Sequence, residues 1–156
     1  MAFTNSNDFI AGRKPVPTPA GIEVIAQRFT IDLATGDLAL NTIGQIGVLP
    51  AGCLPVGLDI DCDDIDSSTA AAVFEFGIWD GAGASLSVVA ADGGGAWGTT
   101  GTAVATAFSK AITRTLNNMN KVTASNSDRK LGMKVTTAPT TAVAGTVGGT
   151  LWYRAA

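Results

Sequence analysis

Apolar and polar residues alternate with a period of two in several short runs of this chain, the pattern of β-strands with one buried face. Ile22 to Leu33 is the first run, with Phe29, Ile31 and Leu33 set against Thr30 and Asp32. Thr35-Gly36-Asp37 predicts a turn. Leu38 to Val48 reads as a second strand region, loosened by Gly44 and Gly47, and Leu49-Pro50-Ala51-Gly52 as another turn. From Val56 to Asp63, the residues Val56, Leu58, Ile60 and Cys62 are expected to face the core, while Asp59, Asp61 and Asp63 face water or a partner. Ala71 to Trp79 follows, with Phe74, Phe76 and Ile78 on one face; Asp80 to Gly83 is a hairpin-turn signal, and Ser85 to Ala91 a further strand. Residues 92–102 are too glycine-rich for regular structure and predict a surface loop with Trp97 at its tip. Ala103 to Thr115 is the one candidate helix, from the spacing of Val104, Phe108, Ala111 and Ile112, with a short strand as the competing reading. Lys121 to Ala124 is expected to form a short strand. Leu131, Met133 and Val135 point inward from Arg129 to Thr137, and Val147, Gly149, Leu151 and Tyr153 share a face of the closing strand. About eight strands separated by Gly, Pro and Asp turns predict an all-β chain. It reads as an antiparallel β-sandwich or jelly roll over residues 21–156, with at most one short helix.

Residues 1–20 break that pattern. The segment is polar and then runs through Lys14-Pro15-Val16-Pro17-Thr18-Pro19. Alternating prolines fix φ and remove N–H donors, so they hold a chain extended outside a central strand. We read an extended N-terminal arm lying on a partner surface. Phe3, Phe9 and Ile10 are its candidate anchors, and Pro15, Pro17 and Pro19 its extended contact residues. Trp97 joins them as a candidate partner or inter-subunit contact, since a large ring on a loop suits insertion into a partner.

Composition narrows the function. Of 156 residues, 46% are hydrophobic and only 15% charged, against about 25% charged in an ordinary soluble domain. So little charge suits a surface partly covered by partners. The net charge of −3 and scattered basic residues argue against nucleic acid as a partner. No apolar run approaches the ~18 residues a membrane span needs, and the first residues lack the charged-then-apolar order of a secretory signal. The chain contains no histidine, which removes the commonest general base and metal ligand. It has no phosphate-loop or dinucleotide motif. No catalytic, cofactor-binding or metal residue is expected, and the chain is not expected to be an enzyme. Cys53 and Cys62 fit free buried thiols better than a disulfide. Asp59-Ile60-Asp61-Cys62-Asp63-Asp64-Ile65-Asp66 resembles a calcium loop only in its carboxylates, because Asp64 and Ala70 stand where that loop needs Gly and Glu. A solvated strand face is the simpler reading; a cation or a basic partner is the alternative.

Several of these features, in their order, resemble the small head decoration (cement) proteins of tailed phages. Leu49-Pro50-Ala51-Gly52 leads into Leu58 through Asp66, followed by Phe76-Gly77-Ile78-Trp79-Asp80. Later come Asp128-Arg129, Leu131 to Thr136, and a strand ending at Tyr153-Arg154. The resemblance covers roughly residues 22–156. It implies a structural virion protein that binds the outer surface of a phage capsid and cements the head by bridging capsid subunits. The implied partners are the major capsid protein and further copies of the chain. The symmetric oligomer is expected to be a trimer, with a dimer as second choice. Location on the virion, after assembly in the host cytoplasm, follows. The alternative is a host-recognition or glycan-binding module of a head or tail fibre, with loops 80–85 and 92–102 as the binding tips.

Overall fold

The computed structural model describes residues 2–67, 72–100, 108–111, 113–114 and 118–156. The described residues form nine strands: β1 (Val24–Leu33), β2 (Ile43–Leu49), β3 (Cys53–Cys62), β4 (Val73–Trp79), β5 (Gly98–Thr99), β6 (Phe108–Ala111), β7 (Thr113–Arg114), β8 (Arg129–Thr137) and β9 (Gly145–Ala155). They pair antiparallel into two sheets, β1-β9-β3-β6 and β2-β8-β4-β5-β7. The architecture is a β-sandwich, as the alternation predicts. Phe29, Ile31 and Leu33 of β1 and Leu151 and Tyr153 of β9 meet Phe74 and Phe76 of β4 and Leu131, Met133 and Val135 of β8 in one apolar core. Cys53 and Cys62 are buried and unbonded.

Four local expectations need correction. First, 108–111 and 113–114 are strands, not helix. β6 pairs with Asp59 to Cys62 of β3, so an open sheet edge outweighs weak helical spacing; the remainder of that candidate helix lies outside the described residues. Second, Ser85–Ala91 contributes only one bridge, Leu86 to Trp79, because the chain then turns into a 3-10 turn at Ala90–Asp92. Third, the expected strand at Lys121–Ala124 is replaced by a 3-10 turn at Met119–Lys121. Fourth, the β3–β9 ladder shifts register between Pro55 and Gly57. That bulge inserts one residue and resets the facing of side chains, so Val56 points out at 37% exposure while Pro55 is buried.

Candidate functional site

The arm packs on its own domain. Its path follows the seam where β1 and β2, the edge strands of the two sheets, come together. Phe3 lies over Gly44 of β2 and packs against the core. Thr4 donates from N and Oγ1 to Asp37 Oδ1 at 3.0 and 2.9 Å, while Asp37 Oδ2 accepts from Ala34 N. Asn5 Nδ2 donates to Asp32 O, and Asn7 Nδ2 to Ile46 O at 2.7 Å. Asn7 Oδ1 caps Phe9 N and Ile10 N, which sets up the local turn that Asp8 closes by pairing with Arg13 and Lys14. These cations hold the Asp8 carboxyl below the usual range, Arg13 contributing most. Pro17 O accepts a 2.6 Å bond from the Tyr153 hydroxyl.

The candidate anchors therefore part company. Phe3 is spent on its own core. Phe9 and Ile10 are half-buried beside the turn, Pro15 and Pro17 are exposed, and Pro19 is half-buried. Between the arm and β1 lies a cleft of about 350 Å³ lined by Asn5, Asp8, Arg13, Lys14, Arg28 and Asp32 among others. Its walls carry both signs of charge. Trp97 is the clear correction: it is 0% exposed, so it is not an exposed loop-tip anchor. Gly93, Gly94 and Gly95 all have positive φ, which lets the chain double back and seat the indole in the core. There Nε1 donates to Asp92 O at 2.9 Å.

The aspartate run does not converge on a point. Asp61 forms a bidentate pair with Arg28 of β1, with Arg28 Nη2 2.7 Å from Asp61 Oδ2. That hydrogen bonding holds the Asp61 carboxyl below its ordinary range. Asp63 Oδ2 accepts from Thr146 N, and buried Asp66 accepts from Thr141 N. Among the described residues, no three His, Cys, Asp or Glu side chains gather to hold a metal ion. No helix among them is long and apolar enough to cross a membrane.

Among the described residues, the outer face of β1, β9 and β3 is the more open side of the sandwich, with the arm beside its β1 edge at Arg28, Thr30 and Asp32. The outer face of the opposite sheet is covered at Gly77 by Leu86 and residues 95–96. Register defines the rows of the open face: Val24–Arg154–Leu54, Ala26–Trp152–Gly57 beside Val56, Arg28–Thr150–Asp59, and Thr30–Gly148–Asp61. A last row sets Asp32 and Asp63 about Thr146, whose Oγ1 donates to Asp32 Oδ1. No residue of β9 outside Trp152 and Arg154 rises far above this face. Gly148 is required here, because a Cβ would collide with both Arg28 Nη2 and Asp61 Oδ2. Only a bare Cα lets the ion pair cross the middle strand flat. The signal for this surface was in the sequence as the aspartate alternation; its apolar end was hidden by the bulge at Val56.

Two buried groups make a pH prediction. Burial pushes the Cys62 thiol up to about 12 and the Tyr153 phenol up to about 12. Their ordinary values are 9.0 and 10.0, so the unfolded chain loses these protons first. Stability from both is complete below pH 9 and drains away as pH rises toward 12. Urea midpoints measured from pH 8 to 11.5 should fall steadily. In Tyr153→Phe, Cys62→Ala the decline should be shallower, and an unchanged slope would exclude these groups as its cause.

No protein-family model matches the chain, and no curated protein matches it significantly. Two solved structures share its fold. A chain in the capsid of Ralstonia phage GP4 is 24% identical, with a TM-score of 0.74 over 97% of both chains. A chain in the capsid asymmetric unit of cyanophage Pam1 is 18% identical, with a TM-score of 0.56 over 100% of both.

Proposed function

We propose that this chain is a structural component of a phage virion that binds the outside of the head and cements it by bridging shell subunits. The observation that carries this reading is the end-to-end likeness to a chain found in the Ralstonia phage GP4 capsid. The ordered turns that resemble head decoration proteins support it independently. So does the outer face of β1, β9 and β3, whose exposed apolar and acidic residues suit contact with a broad surface. A packaged genome pushes outward on a thin shell. A protein spanning two subunits adds interface free energy that must be lost before they part, and several copies acting together multiply the effect. This role needs interfaces and no chemistry, so the chain acts without catalysing a reaction. Its partners are the shell protein and its own copies, as a trimer in preference to a dimer, on the outer surface of heads assembled in the host cytoplasm.

The test is reconstitution. Heads assembled without this chain are mixed with the purified protein, sedimented, and heated. Saturable binding and genome release at a higher temperature are expected. No binding overturns the proposal; binding without a rise in release temperature leaves attachment and overturns cementing. Light scattering of the free protein decides between trimer and dimer.

A further inference from the structure

We infer that the outer face of β1, β9 and β3 is the docking surface, and that it takes a partner surface of the shell in which apolar side chains sit beside lysine or arginine. This rests on the virion reading above and assigns the contact to one face. The face is divided. At one end Val24 is 50% exposed, Val56 37%, and both flank the half-buried Trp152; Ile22, just before β1, is fully exposed. A cleft of about 320 Å³ opens beside this end, between Leu54, Val56, Met119 and Arg154. At the other end stand Asp32, Asp59 and Asp63. Among the described side chains of these rows the cation Arg28 is cancelled by Asp61, and Arg13 and Lys14 of the arm, across the cleft from Asp32, pair with Asp8. Exposed β-branched residues around a tryptophan mark contact surfaces in soluble proteins.

Size and charge select the occupant. From strand rise and spacing, the face measures about 33 Å by about 14 Å. The whole face is thus about 460 Å² in outline, and its apolar rows are less than half of that, against the ~800 Å² each partner buries in a stable interface. A durable contact must therefore use the acidic rows too and reach past the edges of the face. A second copy laid over the whole face sets carboxylates against carboxylates or, turned end for end, gives Asp32, Asp59 and Asp63 a single cation, Arg154, among apolar residues, and either arrangement leaves carboxylates uncompensated. A different chain, apolar at one end and basic at the other, meets both halves.

Binding to heads lacking this chain is measured for the wild type, Val24→Asp, Asp59→Lys, and Val88→Asp as a control on an exposed loop away from this face. At least a tenfold loss is expected for the first two variants and none for the control. Added salt should weaken the wild type more than Asp59→Lys. Should Val24→Asp fail to fold, Asp59→Lys decides alone. Wild-type binding with full binding by the face variants overturns this inference and leaves the virion role standing. Absent wild-type binding overturns the virion role itself. Self-association of the free wild type that Val24→Asp abolishes makes the occupant a second copy and overturns the assignment to the shell.

Discussion

Replacing Trp97 with alanine will destabilise the protein by about 4 kcal/mol, the scale seen when a large buried ring is deleted. The indole is 0% exposed and belongs to the same core cluster as Phe74 and Phe76. Its removal leaves a cavity, since close-packed interiors relax only partly. It also removes the donor to Asp92 O, and the backbone of the same residue is tied to Phe76 O. A domain of this size is stable by about 5–15 kcal/mol, so one substitution consumes a large share. Had Trp97 been an exposed loop tip, the change would fall within about 0.5 kcal/mol. Urea unfolding separates the two outcomes cleanly. Trp97→Phe should recover much of the packing but not the hydrogen bond, and so fall between alanine and the wild type. Equal stability of Trp97→Ala and the wild type would mean the ring is not seated in the core.

The contrast between Trp97 and its neighbours shows what this sequence makes legible. Where side chains alternate within one strand, the facing is written locally: Leu131, Met133 and Val135 are buried as the period requires, and so are Leu58 and Ile60. Trp97 is embedded in glycines, and glycine carries no pattern. Its burial depends on how the loop folds back across β4, which only the assembled sheet determines. Val56 fails for a related reason, because a bulge changes the phase of the alternation without changing the residues. The arm was visible as a composition break, yet its latches involve Asp37, Ile46 and Tyr153, far along the chain. On the candidate surface, the aspartates were readable in sequence. That Arg28 reaches across Gly148 to cancel Asp61 was not.

Gly149 supplies the second large effect. It lies at the centre of its sheet on the inner face, with Phe29 of β1 and Ile60 of β3 as its register partners on either side. Alanine in a strand interior ordinarily gains about 0.5–1 kcal/mol over glycine, from reduced chain entropy. Here a Cβ would stand 2.5 Å from Phe29 Cζ, 2.7 Å from Asp59 O and 2.8 Å from Ile60 Cδ1. Two of these neighbours are a packed ring and a ladder carbonyl, and neither can swing aside. Overpacking of this kind costs about 1–3 kcal/mol or more, so the sign reverses: Gly149→Ala should be destabilising by about 2 kcal/mol, and Gly149→Val by more. Gly148→Ala provides the comparison on the opposite face of the same strand. It displaces only the tips of the exposed Arg28–Asp61 pair, whose loss costs about 1 kcal/mol at most. A double-mutant cycle with Phe29→Leu locates the clash. Favourable coupling of about 1 kcal/mol or more puts the strain at the aromatic ring. Additive losses put it at the Asp59 carbonyl, in the β3–β9 ladder that carries the proposed docking face.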